Sequence, residues 1–179
     1  MLTFRELYNQ FAYDPSSENH RKLAQPLYEL LTREPLTATL HHVDCLPDNK
    51  IGNFNYKQNK CMVLDNLPLD KKIITMGHEL GHAWHRYMHT SIWETQQSLW
   101  EETQTELFEL WYTRKLEEVL DTEFPRRYIP QQSALYPHVQ QLARLNASEL
   151  EVLHNDFERT VQTYKLPITK PFLQRFMPF

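Results

Sequence analysis

Residues 71–89 read Lys-Lys-Ile-Ile-Thr-Met-Gly-His-Glu-Leu-Gly-His-Ala-Trp-His-Arg-Tyr-Met-His, the most specific pattern in the chain. Within this stretch His78 and His82 stand four residues apart, with Glu79 beside the first. Residues four apart lie about 40° from each other around a helix axis, one turn along it. Two imidazoles so placed can bind one Zn²⁺ at about 2.0–2.1 Å each, and Glu79 can take a proton from water on the metal. The spacing therefore predicts a metal-binding helix that carries a general base.

The flanking residues fit a helix that faces a core. At 100° per residue, the apolar side chains occupy one arc of roughly 120°. This stripe consists of Ile73, Met76, Gly77, Leu80, Trp84, Tyr87 and Met88. The four histidines of the stretch fall on an arc of roughly 60° beside the stripe. We therefore expect a half-sheltered site at the edge of the core face, on a helix with Asp70 as its N-cap.

Glycine is rare in this chain, yet two of its three glycines, Gly77 and Gly81, lie inside the predicted helix. Each should cost about 1 kcal/mol of helix stability relative to alanine. This cost predicts that another backbone, such as that of an edge strand, packs closely against the helix.

Composition favours a single folded domain and argues against nucleic acid and membranes as partners. The chain has 179 residues, 41% of them hydrophobic and 12% aromatic, which predicts one domain over residues 1–179. A net charge of −4 and a pI near 6.1 give no basic surface for nucleic acid. No run approaches the ~20 apolar residues of a membrane helix. The N-terminus lacks an apolar signal core and two cysteines make no disulfide framework, so we expect a cytoplasmic protein.

The patterns along the chain predict an α+β fold. They indicate a helical part over 1–35, strands within 37–65, two long helices within 70–121 and a C-terminal helical part over 122–179. The strands are expected at Thr37–Val43, Ile51–Tyr56 and Lys60–Leu64, with a hairpin turn before the last. We expect a small, mostly antiparallel sheet packed on the metal-binding helix.

The order strand, turn, strand, Leu-Pro loop and His-Glu-Leu-Gly-His helix resembles the ImmA/IrrE family of zinc metallopeptidases. The matching run is Gly52-Asn53-Phe54-Asn55-Tyr56, then Cys61-Met62-Val63-Leu64-Asp65-Asn66-Leu67-Pro68, then Ile74-Thr75-Met76-Gly77-His78-Glu79-Leu80-Gly81-His82. The resemblance implies a zincin-like domain with Zn²⁺ as cofactor, which hydrolyses a peptide bond in a specific regulatory protein such as a repressor. It also implies that the strand before the helix borders the cleft and can pair with an extended substrate.

The resemblance, and gluzincins generally, place the third zinc ligand as a glutamate on the next predicted helix, from about residue 98 to 119. Three protein ligands and one open position are what a catalytic zinc requires. Glu101, Glu102 and Glu106 are the candidates. Glu102 follows His82 by 20 residues, a familiar gluzincin separation, and Glu102-Thr103-Gln104 resembles the family's Glu-Ala-Asn. Our prediction is Glu102, although it could instead lie on a solvated acidic face, and Glu106 could accept a hydrogen bond from a ligand histidine.

Two further functional hypotheses stay open. The chain could be a zincin-like regulatory or protein-binding module with little or no proteolytic activity. Alternatively, zinc could be purely structural, with His85 or Cys61 as a fourth ligand. His41 and His42 could be extra ligands, but adjacent strand residues face opposite sides, so at most one could point at a site.

A segment rich in proline and aromatic residues, 122–136, is predicted to be a loop that could cover the cleft. Candidates there and just after it for stabilising an oxyanion are Tyr128, Tyr136 and His138.

Overall fold

The computed structural model describes residues 1–88, 99–122 and 146–164. These ranges contain five α-helices and a three-stranded sheet, which confirms the α+β class. In chain order the elements are α1 (Phe4–Tyr13), α2 (Ser17–Thr32), β1 (Thr39–Val43), β2 (Gly52–Asn55), β3 (Lys60–Leu64), α3 (Leu69–Met88), α4 (Leu99–Leu120) and α5 (Ala147–Tyr164). A short 3₁₀ helix at Pro47–Asn49 lies between β1 and β2.

The sheet is mixed, so the prediction of a mostly antiparallel sheet is wrong. β3 lies in the centre, parallel to β1 and antiparallel to β2. Strands that follow each other along the chain usually pair. Here β3 separates β1 from β2, and its inward residues Cys61 and Val63 are fully buried. The strand with these buried side chains occupies the interior position, and β2 becomes an outer strand.

Helix α3 is largely buried along its middle. Every residue from Lys72 to Trp84 is buried except His78. β2 and β3 cover one side of α3, and its most extensive contact is with α4. His82 is therefore buried and the side chain of His78 is only 12% exposed, so this pair lies deeper than the half-sheltered edge that we expected. Asp70 is not the N-cap, because it lies within the first turn, where its Oδ1 accepts from the backbone N of Lys71 at 2.9 Å.

The two glycines of α3 allow α4 to approach, and not a strand as predicted. A Cβ on Gly81 would lie 3.0 Å from Cα of Thr105 and 3.1 Å from Cβ of Phe108. A Cβ on Gly77 would lie 2.7 Å from Cδ1 of Tyr112, a side chain with no exposed surface. The expectation of a close approach was right, but the element that approaches is a helix.

One hydrophobic core joins these elements. Its buried members come from all five α-helices and all three strands and include Phe11, Leu27, Leu40, Phe54, Val63, Leu80, Phe108 and Leu153. None of the helices in the described ranges is long and apolar enough to cross a membrane.

Outside the His78 stretch, a contact between two histidines joins α2 to β1. His20 Nδ1 lies 2.8 Å from His42 Nε2, and the fully buried His20 ring stacks on Phe11 with centroids 4.3 Å apart. His42 Nδ1 is 3.2 Å from Oδ1 of Asp65, which also pairs with Lys72 Nζ at 3.0 Å. Burial lowers the pKa of His20 well below its ordinary 6.5, and burial also lowers the pKa of His42.

The histidine pair predicts acid sensitivity. Unfolded histidines take up protons near pH 6.5 while folded His20 stays neutral, so its contribution to stability is present above that pH and lost below it. The wild type should lose up to about 1.4 kcal/mol per pH unit more than a His20→Leu variant below pH 6.5. Urea unfolding at several pH values measures this. His41→Gln, at the less buried neighbour of His42, should keep most of the wild-type dependence, and equal slopes for wild type and His20→Leu would contradict the prediction.

The close contact of α3 with α4 predicts that Gly77→Ala destabilises the protein. Helix propensity alone would favour alanine by about 1 kcal/mol. The buried ring of Tyr112 would have to shift, so overpacking should outweigh this gain and lower the unfolding free energy by about 1–3 kcal/mol. Asn9→Ala, at an exposed position of α1, isolates the propensity effect and should leave stability unchanged or raised. A stabilised Gly77→Ala variant in urea unfolding would refute the close contact.

Candidate metal centre

α3 and α4 bring two imidazoles and one carboxylate to a common point. His78 Nε2 lies 3.3 Å from Oε2 of Glu102, and His82 Nε2 lies 3.5 Å from Oε1 of the same carboxylate. Ligands held about 2.0–2.2 Å from an ion at tetrahedral angles stand about 3.4 Å from each other. These three side chains could therefore hold a metal ion, and two nitrogens with one carboxylate oxygen are a donor set that zinc accepts.

The outer nitrogen of His82 contacts two hydroxyl groups. Tyr56, just after β2, places its hydroxyl 3.2 Å from Nδ1, and Thr105 of α4 places Oγ1 3.4 Å from it. With a proton on Nδ1 donated to one of these oxygens, Nε2 has the free lone pair that a metal needs. This contact orients the ring, and Phe54 stacks beside it with centroids 6.3 Å apart.

The outer nitrogen of His78 contacts carboxylates instead of hydroxyls. Nδ1 donates a hydrogen bond to Oε2 of Glu109 at 3.2 Å. Oε1 of Glu106 approaches the same nitrogen to 3.1 Å, but without the angle of a hydrogen bond. An imidazole that donates to a carboxylate is more basic and a stronger ligand than one that donates to a hydroxyl. The two histidines thus differ in their outer partners although they share Glu102.

Burial and neighbouring charges shift the pKa values of His78, His82 and Glu102 in different directions. Burial lowers the pKa of His78, but the close carboxylates of Glu102, Glu106 and Glu109 outweigh burial and raise that pKa well above 6.5. Burial disfavours the ionised form of Glu102, yet His78 and His82 lower its pKa to about 2. Burial is the main cause that lowers the pKa of His82 to about 3. A neutral His82 beside an ionised Glu102 is the state in which both can act as ligands.

Glu79 lies against the outer strand and is almost fully buried. The space that a side chain at Gly52 would fill is occupied by Oε1 of Glu79 and by Cγ2 of Thr75. Oε2 of Glu79 is buried and has no hydrogen-bond partner among the residues that the structure describes. Burial raises the pKa of Glu79 to about 8. The charge of His78 opposes this shift, and the charge of Glu102 adds to it. A carboxyl group with one free oxygen beside a metal-ligand set is suited to move a proton.

The structure places the candidate third ligands differently. Glu102 faces both imidazoles and is only 7% exposed, so the alternative of a solvated acidic face is wrong. Glu106 lies at the opposite nitrogen of His78, close to its expected role beside a ligand histidine. The side chain of Glu101 lies outside those that the structure describes.

The hypothesis of a purely structural metal requires a fourth protein ligand. Neither Cys61 nor His85 belongs to a metal-ligand group among the described residues. Cys61 Sγ instead contacts the backbone oxygen of Glu79 at 3.5 Å, and burial raises the pKa of its thiol well above 9. His41 and His42 also lie in no such group, and the ring of His42 contacts His20. The oxyanion candidates Tyr128, Tyr136 and His138 fall outside the described residues.

Sequence reasoning missed Glu109 and Tyr56. Glu102, Glu106 and Glu109 follow the i, i+4, i+7 spacing of one helix face, and this spacing was the available signal for Glu109. Tyr56 had no comparable signal, because its contact with His82 of α3 arises only through the tertiary fold.

Comparisons of this chain with protein-family models, with curated proteins and with solved structures find no match. The zincin-like fold and the ImmA/IrrE resemblance therefore remain predictions that the sequence motifs carry.

The geometry predicts which acidic side chain binds the metal. Glu102→Gln should weaken Zn²⁺ binding by more than the roughly 10–100-fold typical of losing an outer partner. Glu101→Gln is the matched control and should bind as the wild type does. Competition with a chromophoric chelator gives the zinc affinity of both variants. Weaker binding by Glu101→Gln than by Glu102→Gln would show that Glu101 is the ligand instead.

Proposed function

We propose that the protein is a zinc-dependent peptidase. The observation that carries this proposal is the convergence of His78, His82 and Glu102 beside Glu79, whose Oε2 has no partner among the described residues. A purely structural site has no use for a buried carboxylate with a free oxygen. A hydrolytic site does, because the attacking water must lose a proton.

The protein's own groups would divide the work of peptide hydrolysis. Zinc, when bound, supplies Lewis-acid chemistry, in that it polarises a carbonyl and lowers the pKa of water toward about 7. Glu79 would accept the proton of the attacking water at Oε2 and pass it to the leaving amine. His82, oriented through Tyr56 and Thr105, and His78, oriented through Glu109, would keep both Nε2 atoms directed at one point.

The outer strand β2 is the element suited to align an extended substrate. The resemblance assigns this role to the strand before the helix, but that strand, β3, pairs on both sides. β2 pairs only with β3 among the described residues, so its other edge can add a strand. Its Gly52 lies against Glu79 and its Phe54 against His82, which would bring a paired peptide alongside the site.

The resemblance further favours a protein substrate over free peptides, namely one regulatory partner such as a repressor. The almost complete burial of Glu79 and Glu102 supports a narrow site that admits one extended segment. An unrestricted peptidase would expose these groups more widely.

Glu79→Gln tests the mechanism directly. The variant keeps the shape of the side chain but cannot accept the proton, so it should bind Zn²⁺ as the wild type does and lose cleavage by at least the 10²–10⁴-fold that general base catalysis contributes. Zinc-loaded wild type and variant are incubated with a proteome-derived peptide and protein mixture, and new termini are counted by mass spectrometry. Glu118→Gln, at an exposed carboxylate of α4, is the control. Cleavage by Glu79→Gln at the wild-type rate would overturn the mechanism, and a silent wild type would favour the protein-binding module instead.

A further inference from the structure

His78 has carboxylates at both ring nitrogens, which one metal site does not explain. Nε2 faces Glu102, and Nδ1 lies 3.1 Å from Oε1 of Glu106 and 3.2 Å from Oε2 of Glu109. A single hydrogen on Nδ1 can serve only one of the two acids, and it serves Glu109. Both oxygens of Glu106 remain without a hydrogen-bond partner among the described residues, although only 1% of the residue is exposed.

A buried carboxylate without donors is costly unless a cation or a proton compensates it. Four carboxylates gather here, those of Glu79, Glu102, Glu106 and Glu109, and in the described part of the chain no lysine or arginine forms an ion pair with any of them. With all four ionised, one divalent ion at the Nε2 side would offset only half of their charge. On the Nδ1 side the described residues supply the Nδ1 hydrogen of His78 but no lysine or arginine ion pair.

The geometry points to a second divalent-cation site, formed by Glu106, Glu109 and Nδ1 of His78. The three ligand atoms lie within 4.8 Å of one another, as those of the first site do. The oxygens of Glu106 and Glu109 lie 3.1 and 3.2 Å from Nδ1, close to the spacing that ligands about 2.1 Å from one ion adopt. Glu106 and Glu109 stand three residues apart on α4, so one helical turn presents both carboxylates to the same ion.

Occupation of both sites makes His78 a bridge between two cations. Nδ1 then gives up its proton to solvent, its bond to hydrogen is replaced by a bond to the second ion, and the ring becomes an imidazolate. Four ionised carboxylates with one dication and a neutral His78 carry a net charge of −2. With two dications and the imidazolate, the net charge is −1. One imidazole and two carboxylates form a mixed nitrogen and oxygen set, which suits a transition-metal dication such as Zn²⁺ or Mn²⁺.

Metal stoichiometry tests this proposal without any measurement of activity. The full chain is dialysed against buffered Zn²⁺ until the first site is saturated, and bound zinc is counted per chain by elemental mass spectrometry. We expect two ions in the wild type, one in Glu109→Gln, which keeps the site of His82 and Glu102, and one in His82→Ala, which keeps the site of Glu106 and Glu109. Circular dichroism checks that each variant folds, and the wild-type count decides even if a variant does not.

Two results would overturn the second site. The first is a single ion per wild-type chain, which would mean that a shared proton compensates Glu106 and Glu109. The second is an equal count in wild type and folded Glu109→Gln. Neither result bears on the peptidase proposal, which needs only the first site and Glu79. An inactive protein would likewise leave the two-ion count unaffected.

Discussion

The close contact between α3 and α4 is the constraint on which the site depends. Gly77 and Gly81 leave no Cβ between the helices, so Thr105 and Phe108 come within about 3 Å of the space where a side chain would begin. Only at this separation can side chains of one helix reach those of the other directly. The 3.3 and 3.5 Å distances from the imidazoles to Glu102 follow from it. A wider spacing would leave the histidines correctly placed on α3 but without their carboxylate.

The same contact concentrates charge where a core would ordinarily be apolar. Glu79, Glu102, Glu106 and Glu109 are all buried, alongside residues such as Leu80 and Phe108 that pack tightly. Buried acids of this kind cost stability and depart from the consistency between pattern and burial seen elsewhere in the chain. Such departures are expected at functional sites, where a protein gives up stability for chemistry. Oxygens of Glu79 and Glu106 that lack a hydrogen-bond partner within the described ranges are departures of this kind.

Periodicity within single elements was sufficient for much of the fold. The helical spacing of the His78 stretch gave α3 to within two residues at its start, and alternation with turn signals located all three strands. The arrangement between elements was less accessible. The prediction of a mostly antiparallel sheet failed because β3 lies between β1 and β2 and runs parallel to β1. The depth of the site was underestimated because the helical wheel of α3 does not show that α4 packs against it. Glu109 escaped attention although its spacing with Glu102 and Glu106 was visible.

The sequence by itself determined the pairing of His78 with His82 and the position of Glu79 beside them, since the backbone of a helix fixes the relation of residues four apart. Only the tertiary structure decided that Glu102 joins them, that two more carboxylates lie behind His78, and that β2 borders the site. Those relations join segments separated by about twenty residues or more. They depend on how side chains on different elements pack, and no local period along the chain records that packing.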